Sequence, residues 1–347
     1  MPTYRVTDSA TGKAYDLSGD SPPTEQELEE IFGAAPPQAA TAPARTAMDY
    51  VTDTAIDAGK GVVGLGESMV GLADVATGNL AGKGLAAVGY DPAETKKTLS
   101  SGYSPARALA NKNVEEAKGF VDTIVALAEN PSVAMGGVVE SAPGMIGILG
   151  ATRSFALRAL ARAKLTPGTP EAAAYLKTIG NKILAVGAAA EGAQSTGSIQ
   201  EQGRQAGREW GDTVLPAVAA GAVTGAISFG TSKIPGMRDA EVALATAMLG
   251  GGKKAALLQS GKDIAKSIFK EGALEEMPQS MQEQIFTNLA LGKPWSKGVP
   301  ETGAQGLVVG GLQAGGMAVT TEALNRRSTQ PQAGAPDLSP PGSPPAG

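Results

Sequence analysis

Apolar positions recur at intervals of three and four residues through 48–327, and no run in that region alternates as a strand does. Because this period is typical of α-helices, the sequence predicts a mainly α-helical chain. The pattern differs near the start, where 3–7 and 13–17 alternate in character around a turn-rich stretch and a T-x-x-E capping box opens at Thr24. Residues 1–33 are therefore predicted to form a small ββα module.

Two helices are marked most clearly by their end signals. The first is predicted to begin at Ser104, an N-cap residue followed by proline, and to continue to the stop signal at Asn130 and Pro131. The second is predicted over 274–289, where Pro278 marks either a helix start or a kink. Both carry an apolar face on one side, as helices of soluble proteins do.

Twenty consecutive uncharged residues occupy each of two stretches, 213–232 and 302–321. A helix of that length spans about 30 Å, the thickness of a bilayer core. Gly, Ala, Thr and Ser dominate both stretches, however, and the mean hydropathy of the chain is only −0.04. We interpret these segments as helices able to lie in protein or in lipid, and 48–327 as a membrane-compatible oligomerisation domain.

Proline-rich composition marks the two segments that flank this domain. Residues 34–47 combine Pro with Ala and Thr, which is typical of a linker. Residues 328–347 combine Pro with Gly, Ser and Gln, which is typical of a disordered tail.

Small residues recur four positions apart along the helical region. The glycines in these pairs are Gly78, Gly82, Gly203, Gly207, Gly211, Gly221, Gly225, Gly306, Gly310, Gly311 and Gly315. Such ridges let helix backbones approach closely. Any single pair is better explained by chance or by tight packing in a soluble protein. Their clustering in uncharged stretches favours Gly/Ala-rich helical hairpins that also associate with copies of the same chain.

The composition excludes most catalytic machinery, because the 347 residues include no histidine and no cysteine. Zinc sites of His and Cys, Ser-His-Asp triads and disulfides are therefore ruled out. Glu67-Ser68 and Glu140-Ser141 match the acid pair of lytic transglycosylases, but the motif that follows this pair in that family is missing at both places. We expect no cofactor, no metal and no enzymatic activity.

Four glutamates stand beside Ser or Gly within or at the edge of small-residue helices: Glu67, Glu140, Glu191 and Glu271. A dehydrated carboxylate is costly, so each must meet water, pair with a cation or take up a proton. One interpretation is that these acids face a wet lumen or interface in an assembly. The alternative is that they point to solvent from amphipathic helices.

The chain is acidic overall, but one segment of it is basic. A formal net charge of −5 argues against a protein that coats nucleic acid, since phosphate binding needs a basic stripe. Four basic residues follow the uncharged stretch 141–152: Arg153, Arg158, Arg162 and Lys164. This cluster is either an anchor at a membrane interface or a solvated helix end.

Several segments together carry a family resemblance. The most distinctive is 271–284 (EGALEEMPQSMQEQ), followed by 288–294 (NLALGKP), and 61–67 (GVVGLGE) and 140–143 (ESAP) accompany it. Over about 59–325 the chain resembles the internal virion (ejection) proteins of short-tailed bacteriophages. The resemblance implies a protein stored in the virion interior, expelled ahead of the genome and reassembled in the host cell envelope as part of a tunnel for DNA.

The partners implied by this resemblance are other copies of the chain, other virion ejection proteins, the portal and tail, and the host membrane. DNA is expected to pass through the tunnel without sequence-specific binding, which agrees with an acidic protein. The main alternative is a purely structural capsid-core protein with no membrane activity. A further alternative, the membrane-active segment of a lytic complex, requires a separate enzyme chain.

Overall fold

The computed structural model describes residues 2–7, 14–18, 24, 44–233 and 272–313. Over these residues the chain is mainly helical, as predicted. It divides into two compact units, Met1–Arg45 and Thr46–Gly347.

The first unit contains an antiparallel pair of strands, β1 (Thr3–Thr7) and β2 (Ala14–Ser18), with Thr3 opposite Ser18. The predicted helix of the ββα module lies outside the described residues, as does the tail 328–347.

The second unit is a set of helices. They are α1 (Ala47–Thr77), α2 (Leu80–Ala87), α3 (Pro92–Ser101), α4 (Pro105–Glu116), α5 (Gly119–Glu129), α6 (Pro131–Arg162), α7 (Pro170–Thr178), α8 (Gly180–Gln205) and α9 (Trp210–Thr231). A π-helical turn (Gly272–Glu276) then leads into α10 (Met277–Ala290), and α11 covers the described residues 299–313.

The helix starts follow the sequence signals. Thr46 caps α1 through a capping box with Asp49, whose backbone N–H donates to Thr46 Oγ1 at 3.2 Å. Ser104 caps α4 as predicted, because its hydroxyl accepts the backbone N–H of Arg107 at 3.2 Å. Pro278 lies in the first turn of α10, so it marks a helix start rather than a kink.

The prediction of one continuous helix from Ser104 to Asn130 is wrong. Ala117 and Lys118 are extended, and Gly119 has a φ of +79°, so α4 and α5 are separate helices. The first backbone N–H of α5, on Gly119, donates to the carboxylate of Glu301 at 2.8 Å. A distant side chain therefore stabilises this second helix start, and the local sequence does not reveal it.

Helix α8 lies at the centre of the unit, where it packs against α1, α6, α9 and α10. Its buried residues nevertheless include Gln200 and Glu201, both without solvent exposure. Two neighbouring helices approach α8 through glycines. A Cβ on Gly71 of α1 would lie 2.8 Å from the carbonyl carbon of Gly197 in α8, so the two backbones touch.

Within the described residues, three small clusters of apolar side chains are buried. One joins α6, α7 and α8 around Leu160, Leu176 and Ile183. The others join α4, α5 and α6 around Leu127, and α8, α9 and α10 around Ile199. Because each cluster is small, polar contacts between helices carry much of the packing.

Buried acids of α1 supply several of these polar contacts. Asp53 accepts the backbone N–H and the hydroxyl of Ser104, each at 2.8 Å. Asp57 lies 3.0 Å from a guanidinium nitrogen of Arg107 and accepts the hydroxyl of Tyr103 at 2.5 Å. Helix α4 is therefore tied to α1 mainly by hydrogen bonds and charge.

Candidate functional site

A polar cavity of about 370 Å³ lies among α1, α3, α6, α8, α9, α10 and α11. Its charged side chains are five glutamates and two lysines: Glu67, Glu140, Glu191, Glu276, Glu283, Lys60 and Lys96. Three of the four acids selected from the sequence, Glu67, Glu140 and Glu191, thus meet in one site within a single chain. Glu271 lies outside the described residues.

One part of the site is an arrangement of two ion pairs. A Cβ on Gly61 would lie 2.9 Å from the carbonyl carbon of Glu140, so α1 and α6 meet through their backbones. This close crossing places Lys60 Nζ 3.0 Å from Glu140 Oε2. Lys96 of α3 forms a second ion pair, with Glu67. Two carboxylates of the cavity are therefore neutralised by alkylammonium groups of the chain itself.

The other part of the site holds Glu191 of α8 and Glu283 of α10. In the described ranges neither carboxylate forms an ion pair with Lys or Arg. Burial raises the pKa of Glu283, although hydroxyls of Ser195 and Thr224 oppose the rise, the latter donating at 3.3 Å. Burial also raises the pKa of Glu191; Ser228 opposes this rise and the charge of Glu283 adds to it.

Three buried polar atoms beside these acids have no hydrogen-bond partner within the described residues: Glu191 Oε2, Gln279 Nε2 and Gln282 Oε1. Gln279 is only 9% exposed and lines the cavity. Its amide acts on Glu191 as a hydrogen-bond donor that favours the ionised carboxylate, across a contact that falls short of a well-formed hydrogen bond, so these two side chains are partners of each other.

The arrangement limits the chemistry that the cavity can perform. Carboxylates of raised pKa can hold and exchange a proton. No aromatic ring lines the cavity in the part of the chain that is described, so the stacking platform typical of a saccharide cleft is missing there. Within the same residues, no group of three acidic side chains is placed to hold a metal ion. What the described residues support is the holding of a proton on carboxyls of raised pKa.

The raised pKa values predict a specific dependence of stability on pH. As pH rises above 4.5, the ordinary pKa of Glu, the unfolded chain loses protons before Glu191 and Glu283 do in the folded chain. The two carboxyls therefore make their full contribution to the free energy of unfolding below pH 4.5. This contribution falls as the pH rises, and it is lost once the pH exceeds their raised pKa values. Above those pKa values, a variant with both Glu191→Gln and Glu283→Gln should have a free energy of unfolding about 1–3 kcal/mol higher than that of the parent.

Urea denaturation of both proteins from acidic to mildly alkaline pH checks this expectation. Glu301→Gln serves as a control of opposite sign, because the backbone N–H of Gly119 lowers the pKa of Glu301. The stabilisation due to Glu301 is present above 4.5 and is lost as pH falls through its lowered pKa. A pH-independent difference between the parent and the double Gln variant would contradict the assignment.

The selected glycines differ in their surroundings. Six of them lie within contact distance of a neighbouring residue: Gly82, Gly203, Gly221, Gly225, Gly306 and Gly310. Gly78 and Gly207 follow helix ends with φ of +67° and +72°, and Gly211 has no neighbour within 4 Å of a built Cβ. Gly311 is buried, and Gly315 lies outside the described residues. These contacts lie within one chain, so association between copies stays a prediction.

The basic cluster lies at the end of α6, and its members are all exposed: Arg153, Arg158, Arg162 and Lys164. Two described helices, α6 and α9, are long and apolar enough to cross a membrane, with mean hydropathy of 1.4 and 1.5 over their best windows. Length and composition alone are weak indicators, since a core helix of a soluble protein passes the same test. Only 17% of the α6 window is buried, however, compared with 33% for α9.

Several residues of the site were not selected from the sequence, among them Glu283, Gln279, Thr224 and the two lysines. The sequence does contain a pattern from which these residues could have been selected. Polar residues recur at helical spacing on each wall helix: Glu191, Ser195 and Ser198 on α8; Thr224 and Ser228 on α9; Glu276, Gln279, Ser280 and Glu283 approaching and along α10. A polar stripe of this kind indicates a wet interface between helices.

Comparison of the chain with models of protein families, with curated proteins and with solved structures finds no match.

Proposed function

We propose that this chain is a non-enzymatic internal virion (ejection) protein. It is stored in the virion with other ejection proteins near the portal and tail, and it is released into the host cell envelope on infection. There it associates with copies of itself in or on the membrane and forms part of a tunnel through which the genome passes.

The observation that carries the membrane step is the poor coverage of α6. This helix is 32 residues long, and Ile146 at its middle is 69% exposed. Exposed apolar residues on a long apolar helix are favourable next to lipid and costly in water. The exposed basic cluster at the end of α6 supports the same proposal, because such residues interact with anionic headgroups.

Packing through small residues supports the assembly step. Backbone contacts such as that of Gly71 with Gly197 show no large side chains between the helices, and each apolar cluster is small. Helices that meet in this way keep favourable contacts in lipid, where the burial of large apolar side chains brings no gain. The same mode is proposed for contacts between copies of the chain; within one chain, Gly306 and Gly310 of α11 already pack against Ser280 and Glu276.

Flotation and dye release with anionic phospholipid vesicles test the proposal. The full chain should float with the vesicles and release the dye. Ile146→Lys should weaken both effects by roughly 100-fold, since a central charge costs about 3 kcal/mol in a membrane helix. Val88→Lys is the matched control, because Val88 is 81% exposed and lies outside α6 and α9; it should behave like the parent.

A chain that stays in solution and leaves the vesicles intact would contradict the membrane step and favour the capsid-core alternative. One observation favours that alternative: the second unit encloses its own buried ion pairs, such as Asp57 with Arg107. Buried pairs that are fully formed within one chain suit a protein that remains folded in water.

A further inference from the structure

The outer surface of helix α1 is apolar, while its charged side chains point into the set of helices. Charged residues recur every seven positions along this helix, at Asp53, Lys60, Glu67 and Asp74. The three acids are buried and the lysine is partly buried. Between 50 and 77 no exposed position of α1 carries a charge. This arrangement is the reverse of that in a helix on the surface of a soluble protein.

Contacts within the chain hold the charged side of α1 in this inward orientation. The partners are Ser104 for Asp53, Glu140 for Lys60, Lys96 for Glu67 and Arg204 for Asp74. A rotation of α1 that buried its apolar side would break all four contacts and leave charges without partners, which is costly. The apolar side is therefore available to a partner outside these helices.

The apolar positions on this side follow a strict heptad pattern. They alternate by three and four residues through Met48, Val51, Ala55, Ala58, Val62, Leu65, Met69, Leu72 and Ala76, and none of them is buried. These nine residues form the α1 seam. A narrow stripe with a period of 3.5 residues over four heptads is typical of a helix that packs along a second helix. Contact with lipid requires no such period, and α1 is not one of the two described helices that are apolar enough to cross a membrane.

The sizes of the seam residues indicate which helix fits. The N-terminal half of the seam contains Ala55 and Ala58, whereas the C-terminal half contains Met69 and Leu72. Two antiparallel copies of α1 place each of these alanines opposite one of the large residues of the other copy. A parallel pair would place alanine opposite alanine and leave gaps, which close packing disfavours. Because the seam carries no charge, two identical copies also meet without repulsion.

We propose that two copies of the chain form a dimer through their α1 seams, as an antiparallel pair of helices. The two-fold axis passes near Val62 and Leu65, so that Ala55 and Ala58 of one copy face Leu72 and Met69 of the other. Such a contact uses the same surface on both copies and closes after two. This inference rests on the self-association in the proposed function and identifies the surface that mediates it.

Sedimentation equilibrium of the full chain in buffer without vesicles tests the dimer. We expect a concentration-dependent equilibrium between monomer and dimer. Met69→Lys should raise the dissociation constant of the dimer by about 100-fold or more, because the two-fold symmetry buries two unpaired charges. Val121→Lys is the matched control, since Val121 of α5 is 69% exposed and Met69 is 67% exposed; it should behave like the parent. The ellipticity of each variant at 222 nm, the helix band, shows that it is folded.

Cross-linking tests the antiparallel arrangement independently. The chain has no cysteine, so an introduced cysteine reports only on its own position. With a short bismaleimide, Val62→Cys should link to itself, because it lies near the two-fold axis. Val51→Cys should link to Ala76→Cys when the two chains are mixed, but not to a second copy of itself.

Three outcomes would overturn the inference in different ways. A monomer at all concentrations would exclude the dimer, and linkage of Val51→Cys to itself would exclude the antiparallel arrangement. Unchanged self-association of folded Met69→Lys would exclude the α1 seam, but it would leave the self-association of the proposed function intact. Conversely, a dimer that responds as expected but does not float with vesicles would support this inference and contradict only the membrane step.

Discussion

Replacing Gly71 with valine is expected to cost more than about 3 kcal/mol of the free energy of unfolding, near the upper limit for overpacking. A Cβ at Gly71 would lie 2.8 Å from the carbonyl carbon of Gly197 and 2.9 Å from the backbone nitrogen of Glu201. Both atoms belong to the backbone of α8, so no side chain can rotate to make room. The helices must separate, and α8 is the helix against which α6, α9 and α10 also pack.

Gly84→Val is the matched control, because Gly84 lies in α2, is exposed and has no neighbour within 4 Å of a built Cβ. Valine has a better helix propensity than glycine, so this variant should stay within about 0.5 kcal/mol of the parent. Urea denaturation followed by circular dichroism measures both. Equal stabilities for the two variants would show that α1 and α8 do not touch through their backbones in solution.

The glycine pattern shows how far sequence reasoning reaches. Spacing predicts that glycines pack between helices, and Gly82 and Gly221 do contact neighbouring elements. The same spacing also selects Gly78, which follows a helix end in the left-handed conformation. Helix capping and helix packing both favour glycine, so spacing alone does not separate them. Which face of a helix points inwards depends on how the helices cross.

The candidate site, like the glycine contacts, could be predicted from the sequence only in part. A carboxylate on a small-residue face needs a partner or water, and this argument selected Glu67, Glu140 and Glu191, which line one cavity of the chain; their predicted place at a lumen or interface of an assembly stays a prediction. The argument did not supply Lys96, which reaches Glu67 from a different helix, or Glu283, which approaches from α10. Contacts across helices depend on crossing geometry, and helical periodicity carries no information about it.

The central position of helix α8 is the feature of the fold that the sequence indicates least clearly. Helices at the centre of a protein are normally apolar on all sides. This one carries Glu201 and Gln200 in fully buried positions, and its apolar residues do not form one stripe. Arg204 at its end neutralises Glu201, and Gln200 donates to the side-chain oxygen of Asn79 at 2.8 Å. Buried polar pairing therefore replaces the hydrophobic pattern on which sequence-based prediction relies.

The same pairing predicts the second large effect, from Arg204→Met. The guanidinium group of Arg204 donates through Nε to Glu201 at 2.7 Å, and Nε lies 3.6 Å from Asp74 of α1. Both carboxylates have no solvent exposure. Methionine fills similar space but leaves two buried negative charges without a cation. We expect a loss of about 3–5 kcal/mol, the usual cost of removing one partner from a buried ion pair.

A rescue variant separates charge from packing as the cause of that loss. Adding Asp74→Asn and Glu201→Gln to Arg204→Met removes the stranded charges and keeps the side-chain shapes, so most of the stability should return. Lys97→Met, which removes the cation of an exposed pair with Glu94, should change stability by less than about 0.5 kcal/mol. If the rescue variant is as unstable as Arg204→Met alone, the contact of α1 with α8 depends on the packing of the arginine stem. Recovery instead would mean that Arg204 stabilises this contact mainly by neutralising the two buried carboxylates.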